Sequence, residues 1–329
     1  MMKLTHVGQN EWMFEDNASN TSVDNKSNMP DAARALNIKV KTFVDAEVKK
    51  GRDINDIMNE VMTKFQHEIL QDFDEQQPSS FQLIQTTLQT KGYEAAYEVA
   101  EFLILENIEN PDAYFNFAYL CEQQGDSFKG LLSSRECVRL YLQYFPKKFD
   151  WQKSKLPWGI MENRPFLRAF FQLANLYADN AKFELACEHG EKLLQVCPND
   201  NLGYREHIVN LYMFTEQYQK IIQICDRYPE DMLANIAFGK VLAYCYQDNL
   251  DKAEKEWDIA TENLPNIAHE ILKKRHSRPR GMQSAHQGME IGGKEQAYFY
   301  WEEMGEWWKE NATAQALIEK KRVVKKKKS

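Results

Sequence analysis

The sequence has no uninterrupted apolar run near the roughly 20 residues that a membrane-spanning helix needs, so no membrane span is expected. Its opening residues, Met1-Met2-Lys3-Leu4-Thr5-His6-Val7-Gly8-Gln9, lack the apolar core of a signal peptide. Six cysteines are present (Cys121, Cys137, Cys187, Cys197, Cys225 and Cys245), but none forms a C-x-x-C pair. Most fall inside predicted helices, which points to reduced, mostly buried thiols and a cytoplasmic protein. Positive charge is in the minority, with 41 Lys and Arg against 49 Asp and Glu: the net charge of −8 argues against general nucleic-acid affinity of the body. The exception is local. Lys320, Lys321, Arg322, Lys325, Lys326, Lys327 and Lys328 gather seven positive charges at the end of the sequence, and removing those seven from −8 leaves −15 for the rest. No catalytic triad, acid–base carboxylate pair or metal-ligand set is legible. The expectation is a protein that is not an enzyme and has no metal or cofactor.

What is present is periodic. Across residues 165–198, Phe170, Leu173, Ala174 and Tyr177 recur at helical spacing, Asp179-Asn180-Ala181-Lys182 makes a turn, and Phe183, Ala186, Leu193 and Leu194 resume the spacing. Pro198 ends the second helix, since proline has no N–H to donate. Such a hairpin resembles the tetratricopeptide repeat, a unit of about 34 residues with aromatic, small and proline residues at fixed offsets. Ala174 and Ala186 lie where the two helices cross and must be small. Tyr244, Ala253 and Pro265 repeat the offsets of Tyr177, Ala186 and Pro198, and Ile208-Val209-Asn210-Leu211-Tyr212 parallels Leu173-Ala174-Asn175-Leu176-Tyr177. Consecutive copies predict an all-α fold: a tetratricopeptide-like right-handed helical repeat solenoid with capping helices.

In chain order, residues 1–29 read as a disordered or loosely packed tail in which Trp12, Met13 and Phe14 form an apolar island that folds back on the body. Residues 30–75 read as an N-terminal helical cap, with Ile54, Ile57, Met58, Val61, Met62, Phe65, Ile69 and Leu70 in a stripe. Helical repeats follow over 79–265. They are interrupted at 147–164 by an insertion whose two tryptophans, Trp151 and Trp158, predict packing against the array. Residues 266–311 form a C-terminal segment with an aromatic-dense capping helix (Tyr298, Phe299, Tyr300, Trp301, Trp307, Trp308). A charged helix and lysine-rich tail occupy 312–329.

Five ordered segments carry a closer resemblance: Trp158–Ala169, Cys197–Gly203, Arg227–Asp231, Arg275–Pro279 and Gly292–Trp301. Together, over about residues 155–310, they resemble a bacterial tetratricopeptide-repeat family of unassigned function. The resemblance implies an interaction scaffold and no catalytic residues. One motif is misleading: Gly288 to Lys294 matches G-x-x-x-x-G-K, but Glu295 stands where a phosphate loop needs Ser or Thr, and no strand precedes it. A turn into a helix is the better reading.

In repeats of this kind, set positions of each first helix face a concave groove. Here they are Phe115, Tyr119, Arg168, Phe171, Asn175, Glu206, Asn210, Phe238 and Tyr246. Arg168, Asn175 and Asn210 partly match a clamp for a peptide carboxylate, but Phe171 replaces the lysine such clamps use. The expected function is therefore a protein–protein interaction scaffold holding another protein's peptide or helix in this groove. The alternative is a regulatory protein that contacts nucleic acid or another polyanion through its basic tail. Arg275, His276 and Arg278 offer an anion contact, although a solvated surface is the plainer reading of that segment.

Overall fold

The computed structural model describes residues 2–8, 10–16, 39, 40, 42–44, 46–52, 56, 57, 60, 61, 64, 79–229, 231–280 and 290–328. Two strands open it, β1 (Met2–Gly8) and β2 (Glu11–Asp16), paired antiparallel with Leu4 opposite Phe14 and His6 opposite Trp12. Helical pairs then run through the chain: α1 (Ser80–Lys91) with α2 (Tyr93–Glu106), α3 (Pro111–Gln123) with α4 (Ser127–Leu142), α5 (Arg164–Asp179) with α6 (Phe183–Val196), α7 (Tyr204–Phe214) with α8 (Tyr218–Arg227), and α9 (Ala234–Tyr246) with α10 (Leu250–Asn263). A short α11 (Pro265–Ile271) leads to α12 (Lys294–Glu310) and α13 (Ala312–Lys328). This is the helical-repeat solenoid that the spacing predicts.

The same local chemistry closes four of these five hairpins, from α3–α4 to α9–α10. One residue at each turn takes a left-handed backbone: Gly125, Ala181, Glu216 and Asp248, with φ of 77°, 52°, 55° and 54°. In each case the next amide returns to the carbonyl five residues earlier: Asp126 to Cys121, Lys182 to Tyr177, Gln217 to Tyr212 and Asn249 to Tyr244, at 2.8–2.9 Å. Starts are capped where the sequence supplies a short polar side chain. Asn110, Asp126 and Asn249 accept from the amides of Ala113, Lys129 and Lys252, and Ser79 forms a reciprocal capping box with Gln82. Ala174 and Ala186 are fully buried at their crossing, as their small size predicts.

At the start of the chain, Trp12 and Phe14 pack on the body as expected of their apolar island, but the backbone that carries them departs from expectation. The loosely packed tail predicted for 1–29 is, over the two strands, a docked hairpin; residues 17–29 lie outside the described residues. Its inward side, Leu4, Trp12 and Phe14, joins the main core. Phe14 sits among Tyr141, Phe145 and Phe166 at ring distances of 5.4–5.7 Å. The insertion at 147–164 receives it. The Trp12 amide donates to the Lys155 carbonyl (2.9 Å), the Lys155 amide donates to Asn10, and buried Asn163 brackets β2 by accepting from the Phe14 amide and donating to the Trp12 carbonyl. Within the insertion, Trp151 stacks between Phe145 and Phe170, and the Leu156 amide donates to Val196 at the end of α6. Alternation of apolar residues over only four or five positions is too brief to distinguish this hairpin from a polar tail. The burial that fixes it comes from partners more than a hundred residues away.

The 30–75 stretch is described only in part. Its described backbone is largely helical, and Ile57 and Val61 are buried against Val40, Phe43 and Val44.

Candidate functional site: a concave face half closed by the chain itself

The predicted groove residues divide into two groups. On α3 and α5, Phe115, Phe171 and Asn175 are half-buried, while Tyr119 and Arg168 are exposed. Phe171 meets Tyr204 and His207 edge-on at 5.6 and 5.9 Å. Arg168 lies over the Trp158 ring at 5.5 Å, which fixes the guanidinium at the mouth of the face. This half is open.

The other half is occupied. α12 lies across the first helices of the last two repeats. Asn210 and Asn235 both donate to the Glu303 carboxylate, at 2.7 and 3.1 Å. The Tyr246 hydroxyl donates to the Trp307 carbonyl at 3.0 Å, and Phe214 meets the Trp307 ring edge-on. Phe238, expected to line the groove, is instead fully buried, with its ring against Trp257 and Tyr300. The correction has a simple cause. α12 is dense in aromatics, and Tyr300, Trp301, Met304 and Trp308 bury their surface in the core instead of merely covering the end of the array. Glu206, Asn210, Phe238 and Tyr246 are therefore contacts of the chain with itself or lie at the rim of that contact.

Polar groups on the open half were not legible as a set. Gln172, 91% buried in the sense that only 9% is exposed, donates to Glu122 (3.1 Å) and to the Phe115 carbonyl. Burial pushes the Glu122 carboxyl up to about 6, opposed by the hydrogen bond from Gln172 and reinforced by the charge of Asp179. Asp179 is itself raised by burial, opposed by His207. Glu206 is raised first by burial and then by Glu303.

The basic segment is distributed. His276 stacks flat on Trp301 at 3.7 Å and bonds Glu270 at 3.0 Å, so it is a packing residue. Exposed Arg278 lines a cavity of about 490 Å³ with Lys273, Arg280 and Lys294, whereas Arg275 is exposed and does not line it. Among the described residues, no group of three or more His, Cys, Asp or Glu side chains is placed to hold a metal, and no helix is long and apolar enough to cross a membrane. Gly292-Gly293 is a turn at the head of α12, with the Gly292 amide donating to Gln296.

Fold and face together define a tetratricopeptide-like helical-repeat protein. The chain belongs to the family described as transcriptional repressor TCF25, whose profile matches residues 116–328. That places the repeat array in a defined family, and it does not show the bacterial family suggested by the five segments. No curated protein matches the chain. Among solved structures, MamA is similar with a TM-score of 0.43 at 11% identity, covering 56% of this chain and 96% of its own. The C-terminal part of a TPR repeat-containing protein from Cytophaga hutchinsonii gives 0.43 at 16% identity, covering 70% and 79%. YrrB, described as a TPR protein with an unusual peptide-binding site, gives 0.40 at 16% identity, covering 67% and 97%.

Proposed function

We propose that the protein is a non-enzymatic scaffold that holds a peptide or helix of another protein on the open half of its concave face. The observation that carries this reading is the division of that face. Phe115, Tyr119, Arg168, Phe171 and Asn175 present aromatic rings, a guanidinium and an amide to solvent, while the adjoining residues already hold an aromatic helix, α12, by the same kinds of contact. Amphipathic helices are recognised in grooves through such anchors. The family's description as a transcriptional repressor suits a protein that acts by assembling others.

The basic tail is the weaker candidate for the principal contact. Three of its seven cations are engaged on the body: Lys320 with Glu254, Lys321 with Asp258 at 2.5 Å, and Arg322 with the Leu272 and Lys273 carbonyls at 2.9 and 2.8 Å. Affinity capture from the host's lysate tests the reading, using the intact chain, an Arg168→Ala/Phe171→Ala variant, and a chain ending at Val323. The expected result is a protein captured by the first and third and lost from the second. Capture that ignores the groove variant and vanishes with the tail contradicts it.

A further inference from the structure

Between α7, the start of α9 and α12 lies a half-enclosed cavity of about 220 Å³. Three carboxylates, Glu206, Glu290 and Glu303, line it together with Asn235, Phe299 and Tyr300; among the described residues, no Lys, Arg or His does. Asn235 is 1% exposed, and its Oδ1 is buried without a hydrogen-bond donor. Asn210 Oδ1, beside the same carboxylate, is likewise unpaired. Neither amide gains by flipping, because each gives its NH2 to Glu303, and a flip would set carbonyl oxygen against carboxylate. A buried acceptor left without a donor costs about 1–3 kcal/mol. The cavity therefore gathers negative charge and a buried acceptor without a donor, with no cation among its described lining residues.

Arg205, adjacent to Glu206, is committed to Asp200 and Asp231. The carboxylates are not placed to ligate a metal ion. A guanidinium suits the arrangement better: it is planar, offers five N–H donors in a fork, and spans acceptors too far apart for one ion. The Phe299 and Tyr300 rings in the wall add surfaces over which a cation is favoured. Glu206 stands on α7, where the open half of the concave face meets α12, so the cavity lies within reach of a segment bound on that face.

We infer that this cavity receives an arginine side chain, or a lysine in its place, from the protein segment bound on the concave face. The inference rests on the scaffold reading and adds the chemistry of the partner: a basic residue beside its aromatic or apolar anchors.

The test uses the full chain and two probes, N-acetyl-arginine amide and N-acetyl-glutamine amide, with binding followed by titration NMR. Glu206→Gln and Glu290→Gln remove charge from the cavity. Glu184→Gln removes the same charge from an exposed position elsewhere, and thermal melting verifies that each variant is folded. The arginine probe is expected to bind and the glutamine probe not. Glu206→Gln should weaken arginine binding by about tenfold or more, and Glu184→Gln should leave it unchanged. Equal binding of the two probes, or an arginine affinity indifferent to Glu206→Gln and Glu290→Gln, overturns the inference. The scaffold reading fails separately: it falls if protein capture survives Arg168→Ala/Phe171→Ala, and it stands if that capture is lost while the arginine probe does not bind.

Discussion

Arg205 joins two connections between repeats, and one side chain carries much of their order. Its guanidinium donates to Asp200 Oδ2 at 2.9 Å and to Asp231, both carboxylates being largely buried. Asp200 in turn accepts from the Tyr204 and Arg205 amides at 2.8 Å and so caps the start of α7. Breaking a buried pair strands a charge, at a cost of about 3–5 kcal/mol when burial is complete. With Arg205 about a fifth exposed, Arg205→Ala is expected to destabilise the fold by about 2 kcal/mol or more, read from urea unfolding. Asp200 and Asp231 lie in two of the segments that carry the family resemblance, but nothing local in the sequence pairs them. Glu122 gives a pH signature. Burial raises its folded carboxyl to about 6, above the ordinary 4.5, so the folded state holds its proton more tightly. The stability this provides is complete below about 4.5 and is lost as pH rises through about 6. Relative to the parent, Glu122→Gln should therefore gain stability across that window and keep the gain at pH 7. A parallel pH dependence for both chains contradicts the assignment.

At the scale of elements, the turns and crossings show which features a periodic sequence can reveal. The hairpin offsets were legible because each repeat must place a small residue at the crossing and a left-handed residue at the turn. Ala181 fills that turn position with a residue that dislikes it, at φ 52°. Ala181→Gly is expected to stabilise the protein by up to about 1 kcal/mol, measured as a higher unfolding midpoint. Gly190 illustrates the reverse. A Cβ there would sit 2.0 Å from the ring of Tyr204, which is wholly buried between α6 and α7. Gly190→Ala should cost about 1–3 kcal/mol despite the better helix propensity of alanine. The offsets did not mark this contact, because it joins two repeats and not the helices of one. The β-hairpin was illegible for a related reason. Its strands are short, and Trp12 and Phe14 become core only through Phe149, Tyr141 and Phe166. Trp12→Ala is expected to destabilise the fold by about 3–5 kcal/mol, which a loosely attached tail would not show.

For the whole molecule, the array is a solenoid whose own C-terminal helices shut one half of its concave face. Position within a repeat predicts which side chains face inward. It does not predict that a later segment will fill the face, because α12 docks through tertiary fit at Glu303 and Trp307. α13 extends that closure, burying Ala314, Leu317 and Ile318 and pairing its first cations with the body. A chain ending at Val323 should thus melt with the parent, whereas one ending at Glu319 should melt lower.

One half of the concave face is proposed to take a partner, while the other is occupied from within. Photo-crosslinking addresses it most directly, with a photoreactive amino acid in place of Phe171 in one chain and of Tyr246 in another, irradiated in the host's lysate. The account predicts a discrete adduct to a second protein from position 171, and from position 246 only an internal crosslink to α12. An adduct to another protein from position 246, with none from 171, would contradict it.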